Sequence, residues 1–280
     1  MINLNGTLYT SDNAQISPLN RGFHFGDAVF ETMRVSAGKV LFWEDHYFRL
    51  MASMRILRME IPMDFTLEHL EEEILKTVKA QQEAPAYRVK FLVWRSWGGG
   101  YGPTEKGVEY TITVAALEHP FYVMNDSPYE VELFKDHFVN SGLLSTLKTN
   151  NKALHVLGSI FAEENGYQNC LLLNEHKMVA EALNGNLFWV QGYKIKTPPL
   201  SDGCLKGVLR KQLLAILAQL PDYVVEEASI SPFDLQKADE LFLTNAILGI
   251  QPITKYRKKN FEVKVARELV GKLNARARLG

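Results

Sequence analysis

The chain has 280 residues, of which 46% are hydrophobic and 22% are charged, values typical of a folded globular protein and not of a disordered one. Its 31 basic and 32 acidic residues give a formal net charge of −1, so no long-range field favours nucleic acid or an anionic membrane as a partner. The length allows two modest domains, each with its own hydrophobic core.

The cysteines and the N-terminal residues indicate the cellular compartment in which the protein is expected. Cys170 and Cys204 are the only cysteines, and neither belongs to a CxxC pair, so we expect two reduced thiols and no disulfide framework. The first residues, MINLNGTLYTSDN, lack the basic and apolar segments of a signal peptide. No apolar run reaches the length of a membrane span. We therefore expect a cytoplasmic protein with no membrane partner.

The first part of the chain reads as strands followed by two helices and two further strands. Residues 1–41 are predicted to be extended, and FETMRV and KVLFW are two runs separated by a turn at 36–39. Apolar residues at helical spacing predict helices over 43–57 and 66–81. Strands are predicted over 87–94 and 108–116, joined by the glycine-rich loop SWGGGYGP.

A segment with two prolines and an Asn-Asp-Ser cluster, EHPFYVMNDSP, predicts a linker. We therefore expect a smaller N-terminal α/β domain over 1–118, a linker over 119–128 and a larger C-terminal domain over 129–280. In the second domain the patterns predict strands at 129–134, 169–173, 178–179, 224–227 and 240–244, a hairpin NLFWV-QGY-KIKT, and helices at 150–165, 206–219 and 262–275. The predicted class is α+β, or mixed α/β.

Several familiar signatures are absent from the sequence. It contains no GxxxxGK[ST] and no GxGxxG after a strand, so nothing indicates an NTPase or a dinucleotide enzyme. The seven histidines do not form HExxH or a comparable spacing, and we expect no metal site. Gly98–Gly100 could cradle a phosphate, but a lone GGG between two strands is more typical of a flexible hairpin.

Six segments of the chain carry polar residues in apolar surroundings. In chain order they are NRGFHFGDAVFETMRV, HYFRL, LKTNN, MVAEALNGNLF, LKGVLR and ADELFLTNA. In this order and spacing, from about residue 20 to residue 253, they resemble the class IV aminotransferase family, the fold type IV pyridoxal-phosphate enzymes. The resemblance implies the two-domain fold of the D-amino-acid and branched-chain aminotransferases, pyridoxal 5'-phosphate as cofactor, a small amino substrate and a homodimer.

The resemblance also implies a role for each matched residue. Lys148 would hold the cofactor as an internal aldimine and would then remove the Cα proton of the substrate. Glu181 would face the pyridine nitrogen and keep it protonated. The remaining cofactor-binding residues would be Arg49, Asn186, Gly207, Val208 and Thr244, with Leu209 replacing a threonine that is usual in the family. From spacing alone, Lys148 would be a solvated turn lysine and Arg49 a surface arginine; Lys152 is the nearest rival lysine.

The reaction is less sharply indicated than the cofactor. Phe30, Thr32, Asn245 and the run NLFW are similar to 4-amino-4-deoxychorismate lyases, which release pyruvate, form p-aminobenzoate and serve folate synthesis. Against this, those lyases usually have an arginine in the loop that here reads Gly98-Gly99-Gly100-Tyr101. Candidate substrate residues are Phe30, Thr32, Arg34, Arg95, Tyr101 and Asn245.

Two alternatives to the lyase remain open. The first is an aminotransferase for branched-chain or D-amino acids, and the second is a catalytically silent homologue that only binds the cofactor. Loop 96–103 and the apolar helix face near Met51–Met54 are the candidate contacts with a second copy of the chain.

Overall fold

The structure, a computed structural model, describes residues 1–279, and this part of the chain divides into two compact units. The first unit contains residues 1–121 and the short segment 148–151, and the second contains residues 122–147 and 152–279. Helices and strands are mixed in both units, which confirms the predicted α+β class. The predicted domain limits stay a prediction, and no sequence pattern indicates that residues 148–151 belong with the first unit.

The first unit is built on one six-stranded antiparallel sheet with strand order β2-β1-β6-β5-β3-β4. Its elements are β1 (Ile2–Leu4), β2 (Thr7–Tyr9), α1 (Arg21–Phe25), β3 (Ala28–Ser36), β4 (Lys39–Val40), α2 (Trp43–Ile56), α3 (Leu67–Lys79), β5 (Ala86–Arg95) and β6 (Val108–Leu117). Thr66 begins α3 because its side chain accepts a hydrogen bond from the His69 N–H, which satisfies one of the open donors of the first turn.

One face of this sheet forms the core of the first unit. Met33 of β3 packs in one apolar cluster with Leu50, Met54 and Ile74, all fully buried. Each such side chain contributes ~1.5–3 kcal/mol through burial. Met51 is also buried in this cluster, so the expectation that the helix face near Met51–Met54 contacts a second copy of the chain is wrong.

The second unit contains two five-stranded sheets, with orders β12-β11-β10-β13-β14 and β16-β15-β7-β8-β9. Its elements are β7 (Glu130–Val139), α4 (Ala153–Glu164), β8 (Asn169–Asn174), β9 (Val179–Ala182), β10 (Asn186–Gln191), β11 (Lys194–Thr197), α5 (Val208–Leu217), β12 (Val224–Glu227), α6 (Pro232–Leu235), β13 (Glu240–Asn245), β14 (Gly249–Ile253), β15 (Lys255–Tyr256), β16 (Lys259–Asn260) and α7 (Lys264–Leu279).

The second unit differs from the sequence expectation in several places, two of which have a clear physical reason. The helix expected from residue 150 begins at Ala153, because residues 148–151 are extended and pair with the first unit's strand β3. Strand β14 was not predicted, since Pro252 interrupts its pattern. Proline is tolerated there because β14 is the last strand of its sheet, and one of its sides donates no ladder hydrogen bonds.

Among residues 1–279, no helix is both long enough and apolar enough to cross a membrane.

Candidate active site

Lys148 lies in a short extended segment that is hydrogen-bonded to strand β3. The Phe30 N–H donates to the Lys148 carbonyl and the Asn150 N–H donates to the Ala28 carbonyl, both at 2.9 Å. Two backbone hydrogen bonds on either side of the Val29–Thr149 bridge fix the backbone of this segment. The Lys148 Nζ consequently lies 4.5 Å from the centroid of the Phe30 ring.

A glycine lets the segment approach the chain just before β3. Gly26 has a φ of 62°, and a Cβ placed on it would lie 2.2 Å from Oδ1 of Asn151. The Asn151 side chain donates to the Gly26 carbonyl at 3.4 Å. A side chain at position 26 would therefore both strain the backbone and displace Asn151.

The rival lysine, Lys152, lies in the second unit. It is the N-cap residue of α4 and not, as the sequence analysis expected, a residue inside the helix. Burial lowers the pKa of the Lys152 ammonium, and the nearby Glu181 carboxylate partly opposes that effect.

A buried carboxylate holds Arg49 on the core side of β3. Arg49 donates to Glu31 from Nε at 2.7 Å and from Nη2 at 2.5 Å, and His46 Nδ1 lies 2.7 Å from the same carboxylate. Burial raises the pKa of Glu31, but the charge and hydrogen bonds of Arg49, with the hydrogen bond from His46, outweigh it and lower the pKa to about 2. Glu31 and His46 lie within the first two motif segments, but the sequence analysis assigned a role to neither.

A second ion-pair group holds the glycine-rich loop. Arg21 pairs with Asp27 at 3.0 Å and donates to the carbonyls of Gly98 and Gly100 at 2.9 and 2.7 Å. Arg95 also binds Asp27, at 2.8 Å, and donates to the carbonyls of residues 57 and 58. We assign Arg95 a bracing role. Arg21, which lies within the first motif, is a loop-positioning residue that sequence reasoning missed.

The other candidate substrate residues are distributed over both units. In β3, Phe30 and Thr32 are partly exposed on the sheet face opposite the core. Arg34 is buried and donates to the carbonyls of His119 and Phe121. The Tyr101 side chain is 93% exposed. In the second unit, the side-chain oxygen of Asn245 accepts from the N–H groups of residues 247 and 248 and so stabilises the turn before β14.

In the second unit, Glu181 is a buried carboxylate with two neighbours. Its Oε2 accepts a hydrogen bond from the Leu205 N–H at 2.9 Å, and its Oε1 lies 3.6 Å from Nε2 of His155. A carboxylate held in this way can accept a hydrogen bond from a protonated ring nitrogen. His155 is a helix residue that gave no signal in the sequence.

The N-terminus of α5 adjoins Asn186 and Thr244. Asn186 pairs with Thr244 between β10 and β13, and its side chain donates to the Leu205 carbonyl at 2.8 Å. A Cβ on Gly207, the N-cap residue of α5, would lie 2.0 Å from Oδ1 of Asn186, so a side chain there would displace the Asn186 amide. In the described part of the chain no side chain caps this helix, whose first residue is the buried Val208.

The hydroxyl of Thr244 is buried, and no partner for it exists among the described residues. A buried, unsatisfied hydroxyl beside an uncapped helix N-terminus is the donor set that an anionic group, such as a phosphate, requires. These residues therefore fit the phosphate of pyridoxal 5'-phosphate, and Glu181 fits its ring nitrogen.

Thr244→Val should weaken cofactor binding without weakening the fold. Valine keeps the shape of the side chain and removes a hydroxyl that has no partner in the described chain, so we expect the apoprotein to unfold at the same temperature or slightly higher. The dissociation constant of pyridoxal 5'-phosphate should rise about 10–100-fold, because a hydrogen bond to a charged group contributes ~1.5–3 kcal/mol. Fluorescence titration of the apoprotein with pyridoxal 5'-phosphate measures this dissociation constant. An unchanged dissociation constant would contradict the assignment of the Thr244 hydroxyl to the phosphate.

Comparison with known proteins agrees with this chemistry. The family profile for amino-transferase class IV matches residues 28–256. A putative branched-chain-amino-acid aminotransferase from Methanocaldococcus jannaschii is 29% identical over 97% of this chain and 93% of its own length. An aminodeoxychorismate lyase from Vibrio harveyi is 28% identical over 91% of this chain and 94% of its own length.

A solved structure shows the same fold. The T.th. branched-chain amino acid aminotransferase complexed with N-(5'-phosphopyridoxyl)-L-glutamate superposes with a TM-score of 0.85 and 25% identity, over 99% of this chain and 93% of that one. The resemblance inferred from the six sequence motifs is confirmed, as are the fold type and the cofactor. The chain belongs to the class IV aminotransferase family and is a pyridoxal-phosphate-dependent enzyme.

Proposed function

We propose that this enzyme is a 4-amino-4-deoxychorismate lyase, which eliminates pyruvate from its substrate and leaves p-aminobenzoate. The observation that carries the proposal is the surface beside the lysine. An aromatic ring without a hydroxyl, Phe30, lies 4.5 Å from Lys148 Nζ, and the Thr32 hydroxyl is the next group along the same face. An apolar ring face suits stacking against a planar six-membered ring, and a single hydroxyl suits one of its polar substituents. The Vibrio harveyi relative supports the same reading.

In this proposal the residues of the first unit move the proton. Lys148 takes the Cα proton of the substrate at Nζ, and its two flanking backbone hydrogen bonds hold that nitrogen in position. Phe30 keeps water from one side of the amine. Arg49 contributes a cation for the cofactor phosphate, oriented by the two hydrogen bonds that it donates to Glu31.

The residues of the second unit bind and polarise the cofactor. Pyridoxal phosphate, when bound, supplies a ring that accepts electrons, provided that its nitrogen stays protonated. Glu181 holds that proton in place, oriented by the Leu205 N–H and by His155. The amides of Gly207 and Val208 and the Thr244 hydroxyl bind the phosphate, and Asn186 shapes the turn that presents these amides.

The alternative is an aminotransferase for branched-chain or D-amino acids. It is favoured by the Methanocaldococcus jannaschii relative and by the loop at 98–101, which carries no arginine for a second carboxylate. Arg95 does not supply that cation, because it is bound to Asp27 and to two backbone carbonyls.

A substrate test on the purified holoenzyme separates these functions. With aminodeoxychorismate, we expect equal amounts of pyruvate and p-aminobenzoate, measured by coupled lactate dehydrogenase and by fluorescence. Conversion of the bound cofactor to its pyridoxamine form by leucine, valine or D-alanine, with no pyruvate released from aminodeoxychorismate, would establish the aminotransferase instead. A holoenzyme that does neither would be the catalytically silent homologue.

We also propose a cytoplasmic homodimer. Both cysteines are free and buried, as in proteins of a reducing compartment. Each unit exposes large apolar side chains that a second copy of the chain could cover: Phe23, Trp97 and Tyr101 in the first unit, and Leu143 and Leu144 in the second. Trp97 and Tyr101 belong to loop 96–103, the contact that the sequence analysis expected.

A further inference from the structure

The face of the first sheet that carries Phe30 and Thr32 also carries cations. In the register of β3 with β5, Thr32 lies opposite Lys90 and Arg34 lies opposite Arg88. Residues directly opposite one another in an antiparallel pair project from the same face. Lys90 therefore lies on the face that faces away from the core, beside the Thr32 hydroxyl.

Lys90 and Lys148 meet at one aromatic ring. The Lys90 Nζ lies 4.8 Å from the centroid of Phe30, and the Lys148 Nζ lies 4.5 Å from it. The two nitrogens are thus less than about 10 Å apart, which is within one Debye length at 0.1 M salt. A substrate whose reacting carbon lies at Lys148 can reach Lys90 with a substituent of its own ring.

Among the residues that the structure describes, the Lys90 ammonium has no counter-ion. The side chain is half-buried, and burial, together with the charge of Arg88, lowers its pKa. Within residues 1–279, no carboxylate lies within ion-pair distance of Lys90 and no acceptor is hydrogen-bonded to it. Its contact with the Phe30 ring supplies no negative charge. A partly desolvated cation normally has an anion or a hydrogen-bond acceptor beside it, so the lack of one among the described residues points to an anionic ligand.

We propose that Lys90 binds a carboxylate of the substrate and so supplies the cation that the loop at 98–101 lacks. The inference rests on the proposed lyase function, because aminodeoxychorismate carries two carboxylates. The other nearby arginines are committed elsewhere: Arg34 binds the carbonyls of His119 and Phe121, and Arg95 binds Asp27. Lys90 is therefore a specificity-determining residue, and Lys148 alone moves the proton.

Chorismate is the probe that isolates this contact. It carries the same two carboxylates as the proposed substrate but has a hydroxyl in place of the amine, so it cannot react with the cofactor aldehyde. Its dissociation constant from the holoenzyme, measured by calorimetry, should rise about 10–100-fold in Lys90→Met, since a charge-assisted hydrogen bond is lost. Lys90→Arg, which keeps the charge, should bind within about fivefold of the wild type, and Lys39→Met, an exposed lysine on β4 of the same sheet, should bind like the wild type.

Kinetics with aminodeoxychorismate give the second readout. We expect KM to rise in Lys90→Met by a factor similar to that for chorismate, and kcat to fall less than about threefold, because the contact does not change during the reaction. Unchanged affinity and KM in Lys90→Met, in a protein with full cofactor absorbance and an unchanged melting temperature, would overturn the inference. A wild-type holoenzyme that releases no p-aminobenzoate yet binds chorismate in a Lys90-dependent way would overturn only the proposed function.

Discussion

Lys148→Ala is expected to lower the rate of Cα-proton removal at least about 10²–10⁴-fold, the contribution typical of a positioned general acid–base group. The variant should also lose the absorbance of the covalently bound cofactor, because the amine that forms the linkage is removed. Both results follow from the short segment that pairs with β3 and fixes the position of this lysine. Single-turnover absorbance measurements follow the proton step directly.

The rival lysine supplies the matched comparison. Lys152→Ala should keep a cofactor linkage that borohydride reduces onto the protein, and mass spectrometry of the reduced protein should place the adduct on Lys148. Lys152 belongs to the start of α4 in the second unit, not to the segment on β3. An adduct on Lys152 in the reduced wild-type protein, or a cofactor linkage that survives Lys148→Ala, would refute the assignment.

Glu31→Gln is expected to lower the free energy of unfolding by about 3–5 kcal/mol, because removing one charge of a buried pair leaves the other charge uncompensated. The substitution takes the carboxylate from Arg49, which it binds through two hydrogen bonds, and from His46. Urea unfolding followed by tryptophan fluorescence measures the change. Glu72→Gln, at an exposed position on α3, should change stability by no more than about 0.5 kcal/mol.

The same carboxylate predicts an acid dependence. The pKa of Glu31 is lowered from an ordinary value of 4.5 to about 2, so its contribution to stability is fully present above pH 4.5 and is lost as the pH falls toward 2. As the pH is lowered between those limits, the free energy of unfolding of the wild type should decrease more steeply than that of Glu31→Gln. Parallel slopes for the two proteins would show that folding does not lower the pKa of Glu31.

The sequence predicted most elements of the fold for local reasons. The helix from Leu67 has its cap in Thr66 and a regular apolar stripe, and the hairpin of β10 and β11 alternates between two faces around a glycine turn. Strand β14 was missed because a proline within a strand is permitted only by its place at the edge of the sheet. That place is set by tertiary structure, which no local pattern contains.

The sequence predicted the role of a site residue when that role follows from a motif. It did not predict roles that depend on which side chains the fold brings together. Glu31 lies within the first motif, but its role depends on Arg49 and His46, which come from the next helix. Arg95 was expected near substrate as a replacement for the arginine that the loop at 98–101 lacks, and only the fold shows that it is bound to Asp27. Lys90 had no sequence signal, because its importance comes from the register that sets it opposite Thr32.

The pairing of residues 148–151 with strand β3 also sets an order of events during synthesis. The Val29–Thr149 bridge joins positions far apart in the chain, so the reactive lysine has no defined place until that late segment has left the ribosome. The six-stranded sheet can form earlier from residues 1–121. A nascent chain that ends before the bridge therefore has the Phe30 wall but not the Lys148 amine, and covalent loading of the cofactor on Lys148 must follow closure of this long loop.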